Sequence, residues 1–67
     1  MRGTVVRVLP ERGFFFIKPA DGLRDVFGHV RDLDAALPLD ESLEGRTVEF
    51  DQVAGTKGPQ AKNIRPS

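Results

Sequence analysis

Two aromatic segments with one turn signal between them constrain the fold of this chain more than any other feature. Residues 12–17 read Arg-Gly-Phe-Phe-Phe-Ile and residues 26–30 read Val-Phe-Gly-His-Val, which places four of the five phenylalanines and the only histidine in these two stretches. Asp21 and Gly22 lie between them, and an Asp-Gly pair between alternating apolar residues is typical of a tight β-turn. The two segments therefore predict the arms of one β-hairpin.

The position of the turn determines which side chains face one another across the hairpin. A turn centred on the Asp-Gly pair places Phe16 opposite Phe27 and Phe14 opposite His29. The four rings then share one face of the hairpin, because side chains alternate with period two along a strand. Proteins stack unpaired bases on such a row of exposed rings, although the same alternation is compatible with half of an ordinary core.

The same alternation assigns an inward face to the hairpin. Phe15 is predicted to lie opposite Gly28, where a large ring fills the space that the glycine leaves. A barrel of this size has little room for further rings once an inward set exists. The predicted core consists of Val5, Phe15, Ile17, Val26, Val48, Phe50 and Ile64.

Short apolar runs separated by proline and glycine predict an all-β fold for the whole chain. Strands are predicted at residues 4–9, 14–18, 25–30, 46–53 and 60–65. In the first of these strands, Val5, Val6 and Val8 are available for the core. Residues 31–45 form a longer connection, in which Pro38 and the lack of a 3.6-residue period argue against a full helix. The predicted fold is a small five-stranded antiparallel β-barrel, a single domain over residues 1–67.

Composition excludes several classes of protein. The 67 residues include no cysteine and one histidine, so no disulfide and no tetrahedral zinc site are available, and no cofactor is expected. No apolar run approaches the roughly 20 residues of a membrane span, and we expect a cytoplasmic monomer. No nucleophile-base motif and no phosphate-binding GxxxxGK[ST] motif occurs, so neither catalytic residues nor a small-molecule substrate is predicted.

Charge is balanced overall but unevenly distributed along the chain. Residues 1–31 carry six positive and three negative side chains, residues 32–51 one positive and seven negative, and residues 52–67 three positive and none negative. Each basic residue is by itself an ordinary solvated side chain, and Lys18 is the predicted cross-strand ion-pair partner of Asp25. If the first and last segments meet, their basic residues would surround the aromatic face: Arg7, Arg12, Lys18, Lys57, Lys62 and Arg65.

The motifs, taken in order, resemble the cold-shock domain family over nearly the whole chain. Members of that family read Gly-x-Val-Lys-Trp-Phe-Asn, Lys-Gly-Phe-Gly-Phe-Ile, Asp-Val-Phe-Val-His-Phe and Gly-Pro-Gln-Ala-x-Asn-Val. This chain has Gly-Thr-Val at residues 3–5, Arg-Gly-Phe-Phe-Phe-Ile at 12–17, Asp-Val-Phe-Gly-His-Val at 25–30, Leu-Glu-Gly at 43–45, Val-Glu-Phe at 48–50 and Gly-Pro-Gln-Ala-Lys-Asn-Ile at 58–64. The resemblance implies a barrel of the OB type that binds single-stranded RNA or DNA.

The resemblance also implies a set of base-stacking residues, namely Phe14, Phe16, Phe27 and His29. The chain departs from the family pattern at several aromatic positions, and in the first strand Val8 stands where the family has a phenylalanine. Arg7 stands where the family has its first-strand tryptophan, Val30 replaces the aromatic after the histidine, and the long connection offers Leu37 and Leu39. A guanidinium plane can stack on a base and also contact phosphate, so Arg7 partly replaces the missing ring.

The predicted function is binding of single-stranded nucleic acid with low sequence specificity, of the RNA-chaperone kind. Bases would stack on the four rings, and Arg7, Arg12, Lys18 and Lys57 would hold phosphates. The alternative is a protein-interaction module on the same barrel with weakened nucleic-acid binding. That alternative is motivated by the absent tryptophan, the zero net charge and the apolar residues Val6, Val8, Leu9 and Val30.

Overall fold

Five strands form a closed barrel, as the sequence predicts. The computed structural model describes residues 1–22, 24–56 and 58–67. The strands are β1 (Arg2–Leu9), β2 (Phe14–Pro19), β3 (Val26–His29), β4 (Thr47–Gly55) and β5 (Gly58–Pro66). They lie in the order β1-β2-β3-β5-β4 around the barrel. Three short 3₁₀ turns complete the described elements: Pro10–Arg12, Val30–Asp32 and Glu41–Leu43.

The direction of the strands departs from a fully antiparallel barrel at one junction. In the described part of the chain, β1 pairs with β2 and β4, β2 with β3, and β4 with β5, all antiparallel. The pairing of β3 with β5 is parallel, with Phe27 beside Gln60. A closed ring of five strands cannot alternate direction all the way round, because five is an odd number. The parallel junction therefore follows from closure.

The interior of the barrel contains every residue of the predicted core. Leu37, Leu43 and Ala61 join that set, and all ten side chains are at most 4% exposed. Leu37 and Leu43 come from the long connection, which thus contributes two side chains to the core. Burial of these apolar side chains is the main source of stability for a chain with no disulfide.

A β-bulge in β1 corrects one prediction about the core. Val5 pairs with Ile17, but the next paired residue of β1 is Arg7, opposite Phe16. Val6 is the extra residue of the bulge, and it is 40% exposed rather than buried. Because the bulge shifts the alternation by one residue, Val8 returns to the inward side and packs against the core.

The end of the long connection is fixed by a capped 3₁₀ turn. The Asp40 carboxylate accepts hydrogen bonds from the backbone N–H and the hydroxyl of Ser42, at 2.8 and 2.5 Å. The turn carries Leu43 into the core, and the backbone N–H of Gly45 then donates to Val5 at 2.7 Å. The cap therefore stabilises the segment that closes the barrel.

The contact between Phe15 and Gly28 leads to a test of core packing. A Cβ on Gly28 would lie 2.5 Å from Cε2 and 2.7 Å from Cζ of Phe15, far inside van der Waals contact. We expect Gly28→Val to lower the free energy of unfolding by at least about 2 kcal/mol, since overpacking must displace the ring. Circular dichroism is the appropriate readout because the chain has no tryptophan or tyrosine.

The matched variant shortens the ring. Phe15→Leu combined with Gly28→Val should be less destabilised than the sum of the two single changes, because the shorter side chain leaves room for the valine. A Gly28→Val protein that melts at the wild-type temperature would contradict the proposed contact.

The Asp40 cap predicts a contribution of stability that depends on pH. The hydrogen bonds from the Ser42 hydroxyl and N–H hold the pKa of the Asp40 carboxyl below its ordinary value of 3.8. A group whose folded pKa is lowered stabilises the protein above its unfolded pKa, and this contribution is lost as the pH falls through the folded value. The melting temperature of the wild type should therefore exceed that of Asp40→Asn at neutral pH, and the difference should shrink below pH 3.8. A difference that stays constant with pH would show that the charge of the cap contributes nothing.

Candidate functional site

One side chain from each strand forms a row across the outer surface of the barrel. The register joins Arg7 to Phe16, Phe16 to Phe27, Phe27 to Gln60, and Gln60 to Val53. These residues belong to β1, β2, β3, β5 and β4 in turn, so the row crosses the whole sheet. A second pair, Phe14 with His29, lies beside it on the same face of the hairpin. We call this surface, defined by Phe14, Phe16, Phe27 and His29 with their neighbours in the row, the aromatic face.

The four rings of the aromatic face form one cluster, in which the three phenylalanine rings are neighbours of one another and His29 lies beside Phe27. The ring centres of Phe14 lie 5.8 Å from Phe16 and 5.4 Å from Phe27, and Phe16 and Phe27 are 6.0 Å apart. The His29 ring centre lies 6.5 Å from that of Phe27. All four side chains are half-buried. The cluster therefore holds its rings by edge-to-face and tilted packing while part of each ring remains open to solvent.

His29 is fixed in orientation by the turn that follows it. Its Nδ1 accepts a hydrogen bond from the backbone N–H of Arg31 at 3.1 Å, which caps the 3₁₀ turn Val30–Asp32. A neutral imidazole that accepts at Nδ1 carries its proton at Nε2. His29 thus brings a hydrogen-bond donor as well as a flat ring to the aromatic face.

Three of the predicted basic residues are exposed on, or next to, the strands that carry the rings. Arg7 is exposed and directly opposite Phe16, a position that it occupies only because of the bulge at Val6. Lys18 is exposed on β2, two residues beyond Phe16 and hence on the same face. Arg12 is exposed in the turn Pro10–Arg12, which ends at Gly13 with a left-handed φ of 78° just before the first ring. Lys57 lies outside the described residues.

The ion pair expected between Lys18 and Asp25 does not form. The paired part of the hairpin ends at Ile17 and Val26, so the next residues are beyond the ladder. In residues 1–22, 24–56 and 58–67, the ion pairs are Arg2 with Glu49, Lys62 with Asp32, and Arg65 with Asp51. Lys18 is therefore not neutralised by Asp25, whereas Lys62 and Arg65, which the charge pattern grouped with it, each have a carboxylate partner.

Gln60 is a residue of this surface that the sequence analysis did not identify. It is half-buried beside Phe27 and lines a small cleft with Gly55, Thr56 and Gly58. A Cβ on Gly55 would lie only 2.9 Å from the Gln60 Oε1, so the lack of a side chain at Gly55 makes room for the amide. No hydrogen bond to the Gln60 amide occurs among the described residues. The parallel pairing of β3 with β5 places Gln60 beside Phe27, and no local sequence pattern predicts that pairing.

The positions at which the chain departs from the family pattern differ in exposure. Val30 is 40% exposed and lies near Gly13, whereas Leu37 is buried in the core and Leu39 is partly buried against it. The two leucines of the long connection are thus committed mainly to packing. The four rings, with Arg7, remain as the flat groups of the aromatic face.

The described residues hold neither a candidate metal site nor a candidate membrane-spanning helix. No group of three or more histidine, aspartate or glutamate side chains among them is placed to hold a metal ion. Within the same part of the chain, no helix has the length and apolar character needed to cross a membrane.

The geometry defines a small β-barrel of the OB type with a row of rings on its outer surface. The family model described as the 'Cold-shock' DNA-binding domain matches residues 1–67. The chain is 45% identical over 65 residues to "Cold shock protein ScoF" of Streptomyces coelicolor, covering 97% of this chain and 96% of the relative. It is 42% identical over 64 residues to a "Cold shock-like protein" of Aquifex aeolicus, covering 96% of this chain and 90% of the relative.

A third relative, "Cold shock-like protein CspC" of Shigella flexneri, is 41% identical over 64 residues, which cover 96% of this chain and 91% of the relative. The chain belongs to the cold-shock domain family. The proteins of this family bind nucleic acid and are not enzymes, which agrees with the absence of a catalytic motif from the sequence.

Proposed function

We propose that this protein binds single-stranded RNA or DNA by stacking unpaired bases on Phe14, Phe16, Phe27 and His29. The observation that carries the proposal is the ring cluster itself, with centre-to-centre distances of 5.4 to 6.5 Å on an open outer surface. Rings with no structural partner above them expose apolar area to water, and a stacked base covers that area. Each stacked base contributes about 1–3 kcal/mol by alanine substitution.

Stacking of this kind predicts low sequence specificity. Every base has a flat π-face, so a platform of phenylalanine rings accepts all four bases. Double-stranded nucleic acid hides the same faces inside its helix, and the platform therefore selects single strands. Binding of this kind opposes base pairing, and the cellular role that we propose is that of an RNA chaperone in the cytoplasm.

Basic side chains beside the rings supply the phosphate contacts in this proposal. Arg7, Arg12 and Lys18 are exposed around the platform, and none of them has an ion-pair partner among the described residues. Lys57 completes the proposed set from outside the described residues. Each phosphate neutralised on a single strand contributes a slope of about −0.7 in the dependence of log affinity on log salt. We expect a moderate slope that corresponds to a few contacts.

The alternative of a protein-interaction module is less well supported. One of its grounds is an apolar surface formed by Val6, Val8, Leu9 and Val30, but of these four only Val6 and Val30 are exposed, at 40% each. Val8 packs against the core and Leu9 is half-buried. Two separate exposed valines do not form a large apolar patch. Membership of a nucleic-acid-binding family also favours the proposed function.

Titration of a labelled hexauridylate, followed by anisotropy at low and moderate salt, tests this proposal. We expect saturable binding that weakens as salt increases. Phe27→Ala should reduce affinity about fivefold to a hundredfold, which is the loss of one stacked base. Val6→Ala serves as the control, because it also removes exposed apolar area but at a site outside the ring cluster. Wild-type affinity in both Phe16→Ala and Phe27→Ala would refute stacking on this face.

The position of Arg7 generates a second binding prediction. Arg7 lies opposite Phe16 at the place where the family has a tryptophan, and the bulge turns it toward the rings. Arg7→Trp should therefore raise affinity for the hexauridylate about fivefold or more by adding a stacking platform, while the salt slope becomes shallower by about 0.7. Val6→Trp is the matched control, since the adjacent residue has no cross-strand partner in the register. Equal gains from the two variants would show that the position opposite Phe16 has no special role.

A further inference from the structure

Lys62 occupies a position on the aromatic face that the proposed phosphate contacts do not include. In β5, Ala61 points into the core, so Gln60 and Lys62 point outward. Gln60 pairs in parallel with Phe27. Since paired strands advance together, Lys62 takes the position in β5 that corresponds to His29 in β3. A free ammonium group there would lie beside the ring cluster, where a nucleic-acid backbone would pass.

Asp32 holds this ammonium group. The Lys62 Nζ lies 3.4 Å from Oδ2 and 3.5 Å from Oδ1 of Asp32. The Asp32 side chain is 14% exposed and the Lys62 side chain 40% exposed, so the carboxylate is the more enclosed partner. Asp32 ends the 3₁₀ turn Val30–Asp32, which His29 caps. The backbone N–H of Leu33 closes this turn by donating to the carbonyl of Val30 at 3.1 Å, and the turn fixes the backbone that carries the carboxylate.

The other acidic neighbour of Lys62 is already engaged. Asp51 is the cross-strand partner of Lys62 in the register of β4 and β5. Its carboxylate accepts a hydrogen bond from the Asn63 amide at 2.9 Å and pairs with Arg65 at 3.9 Å. Asp32 is therefore the group that determines whether Lys62 is available to an external anion.

We propose that Lys62 is a phosphate-binding residue of the aromatic face which Asp32 withholds, so that binding of a single strand depends on competition between this carboxylate and a phosphate oxygen. The proposal rests on the proposed function. The distances of 3.4 and 3.5 Å are longer than the 2.7–2.9 Å of a strong charge-assisted hydrogen bond. An ammonium group has three rotatable donors on a flexible stem, and the exposed side of Lys62 gives it a route to an arriving phosphate. The backbone of Asp32 is fixed in its 3₁₀ turn and its side chain is only 14% exposed, so the carboxylate has less freedom to follow the ammonium group.

A double-mutant cycle on hexauridylate binding tests this competition. Asp32→Asn, which keeps the shape of the side chain and removes its charge, should raise affinity about threefold to tenfold and steepen the salt slope by about 0.7. Lys62→Met should cost more affinity in the Asp32→Asn background than in the wild type, and it should return the slope to its wild-type value. Asp32→Ser provides a second route if the Asn variant does not fold.

Glu41→Gln is the matched control, because it removes the same charge from an exposed side chain that has no cation partner among the described residues. It should change affinity less than Asp32→Asn and leave the effect of Lys62→Met unaltered.

An equal loss of affinity from Lys62→Met in the wild-type and Asp32→Asn backgrounds would overturn the proposal, because it would show that the two charges act independently. The proposal would also be overturned if Asp32→Asn bound the hexauridylate with the same salt slope as the wild type. Failure of the wild type and of Asp32→Asn to bind would refute the proposed function and this inference together, whereas additive effects in a wild type that binds would refute this inference alone.

Discussion

The contact between Phe15 and Gly28 is the interaction on which the rest of the structure depends. The ring fills the volume above a residue without a side chain, and any Cβ there would lie 2.5 Å from it. This contact places Phe15 inside the barrel, and period-two alternation then places Phe14 and Phe16 outside. The core and the aromatic face are thus two sides of one hairpin, and a change of register by one residue would exchange them.

Closure of the barrel adds what the hairpin cannot provide. The odd number of strands requires a parallel junction, which brings Gln60 to Phe27. The bulge at Val6 turns Arg7 outward beside Phe16 and leaves Val8 for the core. Both features extend the aromatic face beyond its four rings, and both use backbone irregularities instead of further aromatic side chains.

Fewer unpaired positive charges surround the aromatic face than the sequence indicates. The chain has ten basic and ten acidic side chains, and the basic segments at its two ends do meet in the barrel, where Phe27 of β3 pairs with Gln60 of β5. Lys62 and Arg65 are nevertheless paired with Asp32 and Asp51. The exposed cations beside the rings are therefore fewer than the linear pattern predicts, and surface pairs of this kind are individually weak enough for a phosphate to compete with them.

The sequence by itself determined the hairpin, its register, the common face of the four rings and the seven predicted core residues. The common face and the core set follow from the period of two, which acts over a few residues. The register is centred between Asp21 and Gly22, as predicted, but the β-turn is not: the N–H of Gly22 donates to the carbonyl of Pro19 at 2.9 Å, which puts Ala20 and Asp21 at the centre of the turn. Tertiary structure decided the outward position of Arg7, the place of Gln60 beside Phe27, and the capture of Lys62 by Asp32. Each of these depends on a bulge or on contacts between segments distant along the chain. Such contacts are fixed only when the barrel closes and the strands find their partners.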